Sequence, residues 1–378
     1  MERLTKILSI AGGTFVLLLA ATIYVGVRVL GVFAPGMSMQ RPAEFAGAKV
    51  TTGAGRFQKN LYFVDARLGA VTDLRYEMRD PGSPDLAVVG TDSAVFLNEE
   101  GNVRERVTFA TDVERESISL VGSNDAATPF FLSSGSWSVP TALFDSSGKK
   151  LWTYESLRGE DGAAAGDING DGKIEVAIGM NGNAGVVLVD ESGHQIWSKP
   201  DGNVWHVEIL AGGGGMPCRI LHSNASGHLI VRDPGGNVVE RHRLDMYLSD
   251  FSLVKWNNEP RPTHIVASDS GSVYVYTATG VSTAHFDAPA PILYDEIRAV
   301  TLRLSDGKTY LAVLRDYSRW NRSVLTINSV IGNTGSLVYR EILDDLCGPL
   351  TSLPYKGSEA LLVGCQGKLW RYGASRSQ

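Results

Sequence analysis

The sequence predicts an all-β fold, a seven-bladed β-propeller, and three observations predict it. From residue 46 onward, short β-branched and aromatic runs bounded by Gly, Asn, Asp and Ser recur, with no convincing amphipathic helix among them. Hairpins centred on Gly101, Gly148, Gly193, Gly236, Gly280 and Gly335 stand 43 to 55 residues apart, against about 40 to 50 residues for a blade of four antiparallel strands. The last repeat, ALLVGC then KLWRY, stops where its outer strand should begin, while residues 46–66 are strand-like and have no blade of their own. The N-terminal segment is therefore expected to complete the seventh blade, which leaves no free terminal edge. A six- or eight-bladed ring is the competing count.

In chain order, residues 1–6 read as a short cytoplasmic tail. Ile7 to Val27 is an uncharged apolar run of 21 residues, and a helix of about 20 such residues crosses a hydrocarbon core. We assign 7–30 as a transmembrane signal anchor and 31–45 as a linker. Arg3 and Lys6 ahead of the run favour an inside N-terminus and an exported body, on the periplasmic or extracellular side. A cleaved signal peptide ending near Val32-Phe33-Ala34 is the rival, although the run exceeds the usual apolar region of such signals, about 7 to 15 residues.

The propeller is assigned to 46–378. Its six hairpins are VFLNEEGNVRERVTF, ALFDSSGKKLWTY, VVLVDESGHQIWS, LIVRDPGGNVVERHRL, VYVYTATGVSTAHF and LTINSVIGNTGSLVYR. Another apolar strand precedes most of them, such as DLAVVG, TPFFLSS and IEVAIG. Each central glycine suits a turn that needs positive φ.

Composition narrows the function. With 41 acidic against 35 basic side chains, a formal charge of −6 and no Lys/Arg block, the chain is not a nucleic-acid binder. Three cysteines are too few for a disulfide scaffold. Cys347 and Cys365 lie symmetrically about PYKGS, so a hairpin there brings the sulfurs face to face; a bridge and two inert buried thiols both remain open.

One stretch carries specific chemistry. In AGDINGDGKIEV, Asp167, Asn169, Asp171 and Glu175 stand at loop positions 1, 3, 5 and 9, with the Lys173 carbonyl at 7 and Gly172 at the sharp turn. Alternate residues of such a loop aim oxygens at one centre, as Ca²⁺ requires. Position 12 is Ile178 and strand sequence flanks the loop, so it is not an EF-hand. We expect one structural calcium.

No metal spacing among the seven histidines, no G-x-S-x-G elbow and no phosphate loop is present. His206, beside Trp205 on an inner strand, is the histidine of most interest, with a satisfied structural role as its expected part. The sequence predicts binding rather than catalysis. GSWSVP and RDYSRWNRS join second to third strands of their blades and so share a face, opposite the acidic loop. Their Trp137, Arg315, Tyr317, Arg319, Trp320 and Arg322 have the aromatic and Arg character of interfaces, so a protein partner or extracellular ligand is expected there.

The acidic loop set between strands resembles the D-x-D/N-x-D-G-x-x-D/E loop of FG-GAP or VCBS-type repeats of integrin-α-like propellers. The hairpins ALFDSSGKKLW and LVDESGHQIW are similar to the repeats of pyrroloquinoline-quinone-dependent dehydrogenases and their cofactor-free relatives, and this implies that Trp152 and Trp197 stack between blades. Both resemblances imply a propeller and diverge on chemistry. Taken together, the sequence is expected to encode a membrane-anchored, exported binding or scaffold module; a propeller enzyme acting on polysaccharide or through a quinone, or a calcium-dependent adhesin, are the alternatives.

Overall fold

The computed structural model describes residues 41–375 apart from 81–82, 112–115, 123–129, 138, 157, 214–216, 257–258, 260, 292–293 and 356. The anchor assigned to 7–30 lies outside the described residues; among those described, no helix is long and apolar enough to cross a membrane. Contacts divide the chain after Glu44, and Phe45–Gln378 forms one compact unit. Its boundary falls one residue earlier than expected because the Phe45 ring is fully buried, 5.0 Å from Tyr317 and 5.7 Å from Trp320.

That unit is a seven-bladed propeller of seven antiparallel sheets. Blade I comprises Val71–Asp80, Ser83–Gly90, Ser93–Leu97 and Val103–Thr108; blade II, Ser117–Val121, Phe130–Ser134, Thr141–Phe144 and Lys150–Tyr154; blade III, Glu160–Gly166, Glu175–Met180, Gly185–Val189 and Gln195–Lys199. Blade IV has Val207–Leu210, Arg219–Ser223, His228–Arg232 and Val238–Arg243; blade V, Ser252–Val254, His264–Ser268, Ser272–Thr277 and Ser282–Asp287; blade VI, Ile297–Arg303, Thr309–Tyr317, Arg322–Ile331 and Thr334–Leu343. Blade VII takes Leu350–Tyr355, Ser358–Gly364 and Lys368–Ala374 from the C-terminal end and Phe57–Val64 as its outer strand. The ring closes as the sequence predicts, with Leu61 opposite Trp370 and Phe57 opposite Ala374. The sequence did not foretell that Lys49–Thr52 would add a fifth strand to blade VI.

Middle strands such as Glu175–Met180, Gly185–Val189 and His264–Ser268 are buried along their whole length, because each lies between two neighbouring blades. Outer strands face solvent on one side and alternate, as Val238–Arg243 does. This is why the inner repeats read as continuous apolar runs and the outer ones as mixed.

A recurring contact fastens blade to blade. A Cβ built on Gly193 would lie 2.8 Å from Trp152 Cγ, one on Gly236 3.0 Å from Trp197 Cδ2, and one on Gly335 2.7 Å from Phe286 Cε1. In each case the outer strand of one blade lays a ring on a glycine of the next. Trp152 Nε1 donates to Glu191 O at 2.8 Å and Trp197 Nε1 to Pro234 O at 2.9 Å, so each indole also caps a turn. Gly101, Gly148, Gly193, Gly236 and Gly280 have positive φ as expected. Gly335 does not: the blade VI turn is made by Gly332 at φ 63°. The two strands it joins are long, 10 residues each, so the periodicity slips there.

Candidate functional site

Strand direction alternates within each blade, so outer-to-inner connections and second-to-third connections emerge on one face. On that face begin all the inner strands, and the first residues of several of them carry charge. A cavity of about 250 Å³ at the channel mouth is lined by Asp73, Asp161, His206, Glu208, Glu296 and Arg298 among others.

Most of this charge is locked in pairs. His206 Nδ1 lies 2.9 Å from an Asp250 oxygen and its Nε2 3.5 Å from Glu208. Burial opposes a charged imidazole, but Asp250 and Glu208 outweigh it and hold the His206 pKa up to about 10. Asp250 is buried yet ionised more readily than usual, since His206 and Arg298 offset its desolvation; its other oxygen accepts from Ile297 N at 2.7 Å. Arg298 reaches Glu296 at 2.7 Å and Arg75 reaches Asp73 at 2.9 Å. His206 thus ties the inner edges of blades IV, V and VI together through Asp250, a structural role as expected, but its buried Nε2 makes no hydrogen bond among the described residues.

Two carboxyls at the mouth differ. Asp161 accepts only amide donors, Asn181 Nδ2 at 3.1 Å and Asn203 Nδ2 at 3.4 Å, and burial raises its pKa to about 6. Asp316 accepts Glu296 N at 2.6 Å; burial and then the Glu296 charge raise it to about 8. The sequence reading missed Asp161, Asn181 and Asn203. The available signal was EDGAAAG, two acids followed by small residues at the head of an inner strand.

Residues 135–137, between the second and third strands of blade II, lie on the same face. Glu160, buried at the start of blade III, accepts Thr141 N at 2.9 Å and Thr141 Oγ1 at 2.5 Å, clamping the loop of blade II to its neighbour. Trp137 stands on this clamp 66 % exposed. Trp205 and Tyr247, on the outer-to-inner connections ahead of blades IV and V, are exposed on that face as well.

The second expected recognition loop is corrected. Arg315 and Tyr317 are fully buried, because the second strand of blade VI runs on to Tyr317 and carries both between blades. Arg315 Nε donates to Ser268 Oγ at 2.8 Å, while among the described residues Nη1 and Nη2 have no partner. Trp320 packs half-buried on Phe45 and Tyr317. Arg322 pairs with Asp344 at 2.6 Å. Of that set, Arg319 and Trp137 are the exposed ones.

The acidic loop lies on the opposite face, between the first two strands of blade III. Asp167 Oδ1 accepts Gly170 N at 2.7 Å and Oδ2 accepts Gly172 N at 3.2 Å; Asp171 Oδ1 accepts Lys173 N at 2.8 Å. Asn169 Nδ2 bridges Asp171 and Glu175 at 3.1 and 3.0 Å. Gly172 takes φ of 85°, the sharp turn expected there, and Gly170 is left-handed as well at 82°. These side chains are not gathered into a closed cage, and among the described residues no cluster of three or more acidic, His or Cys groups is. The donor set nonetheless suits a hard cation. Glu175 is 2 % exposed, and burial and the charges of Asp171 and Asp167 raise its pKa, a cost that a cation would offset.

Cys347 and Cys365 are joined by a disulfide across the hairpin of blade VII. Cys218 is a free buried thiol.

The sequence matches no protein-family model. It matches no curated protein. Solved structures do share its shape. BBS1N, in a crystal structure with ARL6DN, superposes with a TM-score of 0.54 at 12 % identity, over 85 % of this chain and 98 % of that one. The Neurospora crassa Pan2 WD40 domain gives 0.49 at 11 % identity over 85 % and 97 %. BamB from Moraxella catarrhalis gives 0.42 at 16 % over 78 % and 80 %. At such identities the likeness is one of fold, and the chain belongs to the class of seven-bladed β-propellers.

Proposed function

We propose that this chain is a non-catalytic binding scaffold, a propeller held on the exported side of a membrane by the anchor 7–30, which engages a protein partner with the face around the channel mouth. The observation that carries the reading is the pairing on one face of exposed Trp137, Trp205 and Tyr247 with a charged mouth whose His206, Asp250 and Arg298 are bound to one another. Exposed aromatics on rigid loops suit association, whereas an imidazole held charged by two carboxylates is a poor general base. A fold neighbour, BBS1N, is seen with a protein, ARL6DN. The Cys347–Cys365 bridge suits an oxidising compartment.

In the same reading, the 167–175 loop is of FG-GAP or VCBS type and holds a structural Ca²⁺ through Asp167, Asn169, Asp171, Glu175 and the Lys173 carbonyl. The hairpins are PQQ-like in the structural sense alone, supported by the Trp152 and Trp197 indoles that cap the next blade.

The test is a pull-down from solubilised membranes with the full-length chain and a Trp137→Ala, Trp205→Ala variant. One stoichiometric partner, lost by the variant at unchanged melting temperature, is expected. If nothing co-purifies, the scaffold reading is withdrawn and cofactors and glycans are screened for an enzyme.

A further inference from the structure

We propose that Asp161, Asn181 and Asn203, beside the Trp137 indole, form a niche that receives an arginine side chain of the partner protein; this rests on the scaffold reading above.

Charge is the first ground. Asp73, Asp201, Asp250 and Glu296 each have a basic side chain within 2.9 Å. Asp161 sits on the same face, half-buried and lining the channel cavity, and among the described residues no basic side chain reaches it. Its two oxygens accept neutral amide N–H groups and keep free lone pairs. A carboxylate left without a counter-charge beside a low-dielectric wall attracts a cation.

The second ground is independent of that charge. Asn181 is 4 % exposed, and among the described residues its Oδ1 has no hydrogen-bond partner. The amide is not free to turn and repair this, because Nδ2 donates both to Asp161 Oδ1 and to Glu160 O at 3.4 Å. A buried acceptor without a donor costs about 1–3 kcal/mol, and because the oxygen is itself shielded from solvent, an N–H group would remove that cost only by displacing the cover over it.

The third ground is shape. A Cβ at Gly159 would lie 2.9 Å from Asn181 Nδ2, 2.9 Å from Trp137 Cα and 3.2 Å from Trp137 Cδ2. Glycine is thus what lets the indole close on the amide, so Trp137, Asn181 and Asp161 are contiguous. The Glu160–Thr141 clamp holds the indole there.

A carboxylate with lone pairs to spare and no counter-charge, with an aromatic surface beside it, selects a planar, donor-rich cation. Guanidinium forks onto a carboxylate and stacks on indole, whereas ammonium is a compact and strongly hydrated charge.

The full-length chain in mild detergent is titrated with fluorescent Gly/Ser nonapeptides that carry one central arginine, lysine or citrulline. The arginine peptide is expected to saturate below about 1 mM. Citrulline in the peptide, or Asp161→Asn in the protein, weakens it at least about tenfold, and Trp137→Ala about three- to tenfold, with melting temperatures held. Lys308→Ala, exposed on the opposite face in the turn between the first two strands of blade VI, leaves binding unchanged. Equal binding of arginine and citrulline peptides, equal binding of arginine and lysine peptides, wild-type binding by Asp161→Asn, or no saturation would each overturn the niche. The pull-down separates the two readings. A partner retained in full by Asp161→Asn sinks the niche and keeps the scaffold. No captured protein with a working peptide site sinks the scaffold and keeps the niche.

Discussion

Replacing Gly193 by alanine measures how much the ring-on-glycine contact contributes to the propeller. Two costs arise and can be separated. At φ 82° an alanine enters the left-handed region, which costs about 1–2 kcal/mol. The new methyl also meets Trp152, 2.8 Å from Cγ and 3.0 Å from Cδ2, a separation that van der Waals radii forbid. The indole must shift, and with it the Nε1 bond to Glu191 O. Overpacking costs about 1–3 kcal/mol and the strained hydrogen bond about 0.5–1.5. Gly307→Ala is the control, at φ 73° with nothing within 4 Å. We expect a loss of about 3–5 kcal/mol for Gly193→Ala against about 1–2 for Gly307→Ala, read as urea midpoints by tryptophan fluorescence and far-UV circular dichroism. In a Trp152→Ala background the Gly193→Ala cost should fall to that of the control. Equal losses at the two glycines in the wild-type background would refute the contact as a fastening.

Arg315→Met should leave stability unchanged or raise it by about 1–3 kcal/mol, since it removes a buried guanidinium with two unpartnered nitrogens; a loss above about 2 kcal/mol in denaturant titration would mean the guanidinium is compensated in solution. Asp316 predicts a pH dependence. Its folded pKa, about 8, lies above the unfolded value, so the folded state holds the proton more tightly, and that stability, present at acid pH, is lost as pH climbs from about 4 through about 8. Asp316→Asn should flatten the fall in unfolding midpoint over that window, and an unchanged slope would contradict the assignment. Calcium at about ten times its Kd should stabilise the fold by about 1.4 kcal/mol, seen as a rise in melting temperature over an EDTA-treated sample that Glu175→Gln abolishes. Identical melting with calcium and EDTA would remove the ion from the proposal.

Why some of this was legible in the sequence and some not follows from the range of each interaction. The blades, their hairpins and the closing strand are local or periodic. A turn glycine followed by a β-branched run fixes a hairpin wherever it occurs, and Phe57–Val64 had to pair somewhere because the final repeat lacked its outer strand. Gly172 likewise follows from the spacing of the acidic loop. Apart from the blade VI turn, which slipped from Gly335 to Gly332, what failed was judged from composition alone. RDYSRWNRS reads as an arginine and aromatic loop, yet its strand continues to Tyr317 and carries Arg315 into the wall between blades V and VI. Burial depends on which blade arrives next to it, and no local pattern encodes that. The channel mouth was hidden for the same reason. Asp161, Asn181 and Asn203 come from three segments of blade III and the connection after it, and His206 meets Asp250 only because the ring stacks inner strands side by side. The sequence by itself determined the repeat, the turns and the closure, since backbone hydrogen bonding and side-chain period act over a few residues; only the tertiary structure decided which charges are paired and which are left over, because pairing is set by distances across blades.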